Sequence, residues 1–343
     1  MTQRVLGVSC LRDEGANLLH WLAHHRAAGI TDWLLFTNDC ADGTDTLLDL
    51  LQGAGIVTHL RSAVPEGKTP QWSALRQAGS HPAMGAADWV AVIDCDEYLN
   101  LRAPLDTVQD LIAACDADAI VLPWRLFGHA GHAMRPPVPP TQAFTRAIPE
   151  DALYPALARF FKTLFRRKAF RAPGVHRPKP AKDRVAAWVD GSGTPLPGDF
   201  AQGGRIMLWG APLATDRVQL NHYSVRSAEE FVAKAARGLP NHTDKPVDLT
   251  YWVERNFNTV PDDSIARMAP ATAAELDRLR ALPGVARAEA ASLDWHRATF
   301  RRALQDPATV KLYGRLLLAT TSTPPDPETA RTLIRLFQQG GGA

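Results

Sequence analysis

Residues 89–99 constrain the fold more than any other part of the chain. The first five, Trp89-Val90-Ala91-Val92-Ile93, form an apolar run typical of a buried strand. The carboxylates of Asp94, Asp96 and Glu97 follow directly. Because alternate residues of an extended chain share a face, Asp94 and Asp96 should point the same way. The segment therefore predicts a central strand that ends at a functional site.

Two neighbouring carboxylates raise one another's pKa unless a cation lies between them. We therefore expect Asp94 and Asp96 to hold a divalent metal ion. A small set of oxygen ligands favours Mg²⁺ or Mn²⁺, which keep positions open for water and phosphate groups. An Asp-x-Asp pair also arises by chance, and the alternative interpretation is a surface turn with scattered acidic residues.

Strand-like and helix-like segments alternate over roughly the first hundred residues, about one domain's length. The strands are predicted at residues 4–10, 33–37, 55–60 and 89–93. This alternation predicts a doubly wound, mostly parallel sheet, in which ligands bind beyond the carboxyl ends of the strands. Arg12 and Glu14 follow the first strand and Asp39 follows the second. We expect them to share one pocket with Asp94 and Asp96.

The pattern of segments predicts three regions. Residues 1–125 form the α/β half, 126–240 an irregular region that completes the domain, and 241–343 a C-terminal helical extension. In the second region, a strand-like run ends at His222, and a helix with a capping-box start carries Lys234 and Arg237.

Composition limits the functions that the chain can have. With 38 basic and 36 acidic residues, the formal charge of +2 argues against a nucleic-acid partner bound by general phosphate neutralisation. The four cysteines form no metal-like pair, and the start of the sequence shows neither a leader peptide nor a membrane-spanning run. We expect a cytoplasmic protein without a transmembrane segment, which leaves peripheral membrane contact open.

An ordered series of motifs resembles the GT-A glycosyltransferases, specifically the bacterial family 2-like proteins that share features with family 92. The matching pieces cover residues 4 to about 240. They are Arg12-Asp13-Glu14-Gly15-Ala16-Asn17 with the helix that follows to His25, Gly29-Ile30, Asn38-Asp39-Cys40-Ala41-Asp42-Gly43-Thr44, Gln71, Asp94-Cys95-Asp96-Glu97-Tyr98-Leu99, Trp124-Arg125-Leu126-Phe127-Gly128, residues 162–166, His176, Asn221-His222-Tyr223-Ser224, Ser227, Glu230-Phe231, Lys234 and Gly238.

The resemblance implies a GT-A-type fold. It also implies metal-dependent transfer of a sugar, with inversion, from a nucleotide diphosphate sugar such as a UDP-sugar to the hydroxyl of a glycan or polysaccharide acceptor. It implies that Asp94 and Asp96 hold the metal and that Arg12, Glu14, Asp39 and Gln71 bind the donor. From side-chain chemistry we add His222 as a third metal ligand or a hydrogen-bond donor to the diphosphate, and Lys234 and Arg237 as partners of the phosphates, so that the donor-binding set is Arg12, Glu14, Asp39, Gln71, Asp94, Lys234 and Arg237. The aromatic and imidazole rings of Trp124, His132 and His176, together with Gly128, are the candidate acceptor residues.

The catalytic base is less defined by the sequence. Glu97 is our first candidate because it adjoins the metal pair, although it could instead cap the turn as a structural residue. Asp151, Asp183 and Asp199 stay open as alternatives. A sugar-1-phosphate nucleotidyltransferase and a non-catalytic sugar-nucleotide-binding protein of the same fold are the competing functions.

Overall fold

The computed structural model of the chain describes residues 3–208, 214–237 and 247–340. The strands are β1 Val5–Leu11, β2 Asp32–Thr37, β3 Thr58–Arg61, β4 Trp89–Val92, β5 Glu97–Leu101, β6 Ala119–Leu126, β7 Arg146–Ala147, β8 Phe161–Arg166, β9 Phe170–Ala172, β10 Lys179–Pro180, β11 Trp188–Val189, β12 Val218–His222 and β13 Val260–Pro261. The helices are α1 Gly15–Ala27, α2 Thr44–Gly53, α3 Pro70–Ser80, α4 Pro82–Ala86, α5 Val108–Ala113, α6 Pro140–Ala143, α7 Gly198–Gln202, α8 Ala228–Arg237, α9 Leu249–Val253, α10 Ala269–Arg280, α11 Val285–Ala303, α12 Pro307–Leu318 and α13 Pro327–Gln339. Gly238 and the region boundary predicted at 240/241 lie outside the described residues, and the three-region division stays a prediction.

The central sheet has the order β3-β2-β1-β4-β8-β6-β12-β5, with β11 paired to β6. The pairs β1–β2, β1–β4, β2–β3 and β6–β12 are parallel. The prediction of a doubly wound, mostly parallel sheet is therefore confirmed, and helices follow it in the C-terminal region. The alternating β and α segments produce this arrangement because a parallel pair needs a crossover helix between its strands.

Two strands differ from the sequence prediction. β8 runs antiparallel between β4 and β6, in the region expected to consist of short strands and loops. β5 begins at Glu97, directly after the acidic turn, and pairs antiparallel with β12. The alternation of segments gave no sign of β5 because its partner lies more than a hundred residues later in the chain. β8 and β12, the partner of β5, thus bring residues from the second region close to the end of β4.

Helix α1 covers the free edge of β5 with side-chain hydrogen bonds. The Trp21 indole donates to the Glu97 carbonyl at 2.9 Å. A ring nitrogen of His24 lies 2.6 Å from the Leu99 carbonyl, and the Leu99 amide donates to a ring nitrogen of His25 at 3.3 Å. An exposed strand edge is prone to pair with other chains, and these contacts satisfy its backbone groups. The histidines of α1 are thus structural.

We expect acid to destabilise the fold through these rings. Burial lowers the pKa of His24 to about 4 and that of His20 to about 3. Unfolded, both titrate near pH 6.5, so stability is retained above that pH and falls below it until the folded pKa is reached. At pH 5, His24 alone should lower the free energy of unfolding by about 2 kcal/mol. Urea unfolding at pH 7.5 and pH 5 measures the loss, and His24→Gln should reduce its pH slope by about one proton. An identical slope in the variant would show that His24 does not carry the effect.

The C-terminal helices pack directly on the first half of the chain. The ring of His24 contacts the Thr272 hydroxyl of α10 at 3.1 Å. In α11, the Ser292 hydroxyl donates to the Asp42 carbonyl at 2.8 Å, and the His296 ring lies 2.9 Å from the Asp42 carboxylate. Asp42 in turn accepts from the Gly15 amide at the start of α1. The extension therefore fixes the loops that follow β1 and β2.

Candidate functional site

The turn between β4 and β5 presents Asp94 at the carboxyl edge of the sheet. The turn closes on itself, because the Glu97 amide donates to the Asp94 carbonyl and the Asp94 amide donates to the Glu97 carboxylate at 2.7 Å. The Asp94 carboxylate accepts from Lys162 Nζ at 2.8 Å and from Gln71 Nε2 at 3.1 Å. Its side chain keeps 26% exposure. Asp94 is thus held by β8 and α3 while one side stays open to solvent.

Glu97 is enclosed within the protein. Its side chain has no exposed surface, and its carboxylate lies 3.7 Å from the Lys162 ammonium, which is also fully buried. Burial raises the pKa of Glu97 well above its usual range. Burial alone would lower the pKa of Lys162, but Asp94 and Glu97 raise it. Glu97 therefore caps the turn through the Asp94 amide, and its carboxylate is shielded from solvent.

Asp96 lies on the other side of the turn among residues of β12 and α8. Lys234 Nζ is 3.0 Å from Asp96 Oδ2, and His222 Nε2 is 3.5 Å from Asp96 Oδ1. Burial would raise the pKa of Asp96, but Lys234 and His222 lower it well below its usual range. Lys234 also donates to the Ser224 carbonyl. The structure therefore brings Asp96, His222 and Lys234 together from three different elements.

Two of the three predicted metal ligands, Asp96 and His222, lie next to each other. Asp96 and His222 face each other, and burial lowers the pKa of His222, which favours the neutral ring that binds metals. The other nitrogen, Nδ1, is buried without a hydrogen-bond partner. Asp94 is engaged by Lys162 and Gln71 instead, and among residues 3–208, 214–237 and 247–340 no group of three His, Cys, Asp or Glu side chains suits a metal. Asp96 and His222 are the residues that would hold a divalent cation here, and metal binding stays a prediction.

Basic and acidic side chains join the first loop to this turn. Glu14, at the start of α1, is paired with Arg237 of α8 and with Arg226 at 3.3 Å. Arg226 also donates to the Cys95 carbonyl at 3.1 Å, within the acidic turn. Its φ of 52° lies in the left-handed region, an unfavourable conformation that its surroundings must hold in place. The Arg237 guanidinium further donates to the Arg12 carbonyl.

Aromatic rings line the side of the turn near β6. The Trp124 ring centroid lies 4.2 Å from that of His222 and 5.3 Å from that of His176. His176 is anchored by a 2.9 Å contact with the Phe161 carbonyl, and burial lowers its pKa to about 4. Of the predicted acceptor residues, Trp124 and His176 therefore lie beside the metal-binding candidate His222.

The other predicted site residues make contacts elsewhere. Asp39 is exposed after β2 and contacts only Asn38 at 3.4 Å among its described polar partners. A Cβ on Gly128 would lie 2.4 Å from the Asn258 carboxamide, so this glycine is needed for packing. The His132 ring packs against Phe144 at 5.8 Å. Gly128 and His132 therefore take part in packing, whereas Asp39 lies exposed on the surface after β2. Their roles in binding acceptor and donor stay predictions.

Sequence reasoning missed two basic residues of the site. Lys162 was recognised only as part of a family motif, yet a lysine inside the apolar strand Phe161–Arg166 is itself a signal, because a buried lysine requires a partner. Arg226 showed no comparable signal. Its backbone conformation and its contacts with Glu14 and Cys95 arise only when β4, α1 and the β12–α8 connection meet.

The fold and site together define an α/β protein whose candidate site lies at the carboxyl ends of its parallel strands, with neighbouring carboxylates and buried cations. The sequence model of glycosyltransferase family 92 matches residues 12–186. The chain therefore belongs to glycosyltransferase family 92. The match contains the acidic turn, Trp124, Lys162 and His176, and it ends before β12 and α8.

Individual relatives are distant. A glycosyltransferase family 92 protein of Ricinus communis is 29% identical over 108 residues, which are 30% of this chain and 18% of the relative. One from Oryza sativa subsp. japonica is 28% identical over 106 residues, 30% of this chain and 17% of the relative. The match thus spans less than a fifth of either plant protein's length.

Among solved structures, the chain is similar to S. aureus TarS residues 1–349, with 13% identity, a TM-score of 0.33, and coverage of 88% of this chain and 92% of that one. The same TarS fragment in complex with UDP matches with a TM-score of 0.30 and 14% identity, with the same coverage. No helix within the described residues is long and apolar enough to cross a membrane.

Proposed function

We propose that this chain is a metal-dependent glycosyltransferase that moves a sugar, with inversion, from a nucleotide diphosphate sugar to a hydroxyl of a glycan acceptor. The observation that carries the proposal is the grouping of Asp96, His222 and Lys234 at the carboxyl edge of the sheet, in a chain of glycosyltransferase family 92. We further propose a cytoplasmic role in polysaccharide synthesis with a UDP-sugar as donor.

The site offers charges suited to a departing diphosphate. When the anomeric bond breaks, negative charge develops on the leaving phosphate, and preorganised cations stabilise it. Lys234 is held in place by Asp96 and the Ser224 carbonyl, so its ammonium needs little reorganisation. Asp96 and His222 would hold Mn²⁺ or Mg²⁺, which would supply further stabilisation of that charge. Arg237, fixed by Glu14, would contribute a second cation near the phosphates.

Asp94 and Gln71 would bind the remainder of the donor. The Asp94 carboxylate is orientated by Gln71 and Lys162, and its open side can accept hydrogen bonds from hydroxyl groups. Trp124 and His176 offer flat rings next to His222, where an acceptor sugar could pack. Because Glu97 is enclosed, an inverting transfer would take its base from another side chain.

Thermal unfolding with UDP, GDP or dTDP and Mn²⁺ tests donor binding. A ligand at 100 times its dissociation constant stabilises the folded chain by about 2.7 kcal/mol, so one nucleotide should raise Tm in a metal-dependent manner. Release of the free nucleotide diphosphate from its sugar conjugate then measures turnover. Pyrophosphate release from a nucleoside triphosphate and a sugar 1-phosphate would instead establish a nucleotidyltransferase. Binding without turnover on any acceptor or water would favour a non-catalytic protein.

A further inference from the structure

A surface groove of 510 Å³ lies between helix α3 and the β9–β10 hairpin. Pro65, Leu75, Ala172 and Pro173 form its apolar part, and Trp72 lies along it. The volume falls within the range of about 300–1,000 Å³ that is typical of small-molecule sites. The groove is therefore large enough for a short chain of sugar rings.

Trp72 gives the groove an aromatic platform. Its side chain is 47% exposed, although a tryptophan of a soluble protein is usually mostly buried. Lys179 Nζ lies over the ring, 5.0 Å from its centre, so the exposed indole and a positive charge are held together. The apolar face of a sugar ring can pack on such a surface while its substituents reach the charge.

The charge of the groove has one sign. Lys68, Arg76 and Lys179 line it, and no aspartate or glutamate is among its lining residues. Within the described parts of the chain these three cations have no carboxylate partner, and Lys179 lies over the Trp72 ring. Unpaired cations of one sign around an apolar floor complement an anionic ligand.

The groove adjoins the site through the first turn of α3. Pro70 begins this helix, and the next two side chains diverge. Gln71 is buried and donates to Asp94 at 3.1 Å, whereas Trp72 is exposed along the groove. The first turn of helix α3 therefore connects the groove to Asp94, which lies between β4 and β5.

We infer that this groove binds an acceptor glycan whose sugar rings carry carboxylates, such as a polyuronide, next to the site at which the glycan is extended. This inference rests on the proposed glycosyltransferase function for its description of the ligand as an acceptor. The apolar floor and Trp72 favour a chain of pyranose rings over a flexible polyol phosphate, which has little apolar face to bury. The cations select the acidic substituents.

Calorimetric binding of trigalacturonate to the full chain, without donor, tests the inference. We expect binding that weakens as salt is added and exceeds that of the uncharged maltotriose at least tenfold. Trp72→Ala should weaken it about tenfold, with Trp72→Phe recovering part of the loss. Lys179→Gln should weaken it several-fold and reduce its salt dependence, whereas the matched change at an exposed lysine outside the groove, Lys168→Gln, should leave it unchanged.

Equal binding of maltotriose, no binding of trigalacturonate, or unchanged binding in Trp72→Ala and Lys179→Gln would overturn the inference.

The Tm increase caused by UDP with Mn²⁺ is measured on the same variants. It should match that of the parent, because Trp72 and Lys179 lie outside the donor site. If trigalacturonate binds in the groove but no nucleotide sugar is turned over, the groove is confirmed as a site for an acidic glycan, and the transferase proposal fails. If transfer proceeds and these variants keep the parent KM for every acidic acceptor, the groove inference fails alone.

Discussion

The Asp96→Asn variant is expected to lose transferase turnover by about 10²–10³-fold, because it removes a charge that positions cations at the reacting phosphate. In the parent, Asp96 lies 3.0 Å from Lys234 and 3.5 Å from His222. The amide keeps the shape of the side chain but cannot neutralise Lys234 or hold a divalent cation as firmly. Release of nucleotide diphosphate from the donor sugar measures the loss.

A second measurement separates this effect from misfolding. UDP with Mn²⁺ should raise the Tm of the parent, and the Mn²⁺-dependent part of that increase should disappear in Asp96→Asn. Asp294→Asn is the matched control, since Asp294 is 75% exposed and pairs with Arg297 on the same helix. It should behave as the parent in both assays. Parent-like turnover and metal response in Asp96→Asn would refute the metal-binding role of this residue.

Lys162→Met should lower the free energy of unfolding by about 3 kcal/mol, since it leaves the buried Glu97 carboxyl group and the Asp94 carboxylate without their shared ammonium partner. The Lys162 and Glu97 side chains both have no exposed surface, and Asp94 accepts a 2.8 Å hydrogen bond from Lys162. Methionine is close in length and fills the space without the charge. Urea unfolding at neutral pH measures the change.

The double variant Lys162→Met, Glu97→Gln tests the cause. If the cost arises from an uncompensated carboxyl group, neutralising Glu97 should recover part of the lost stability, giving a coupling between the two changes. Lys168→Met, at an exposed position after β8, should change stability by less than about 0.5 kcal/mol. Equal destabilisation by the Lys162 and Lys168 changes would mean that Lys162 is not a buried counter-charge.

Much of the site could be predicted from local sequence. The apolar run before Asp94 indicated a central strand, and the residues after β1 and β4 lie at one edge of the sheet because parallel strands end together. Asp94, Asp96, Gln71, His222, Lys234, Glu14 and Arg237 do take part in connected contacts there. Their roles in binding stay predictions.

The sequence by itself determined the alternating strands and helices that lead up to Asp94, the position of the acidic turn and membership of glycosyltransferase family 92. The strands and helices follow from the spacing of apolar residues along the chain, and the family follows from the order of its motifs. Only the tertiary structure decided that Glu97 caps the turn and that Asp94 pairs with Lys162 while Asp96 pairs with Lys234. Those partners lie 68 and 138 residues away in the chain, and a pairing over such a distance depends on how β4, β8 and α8 pack, which no local pattern specifies.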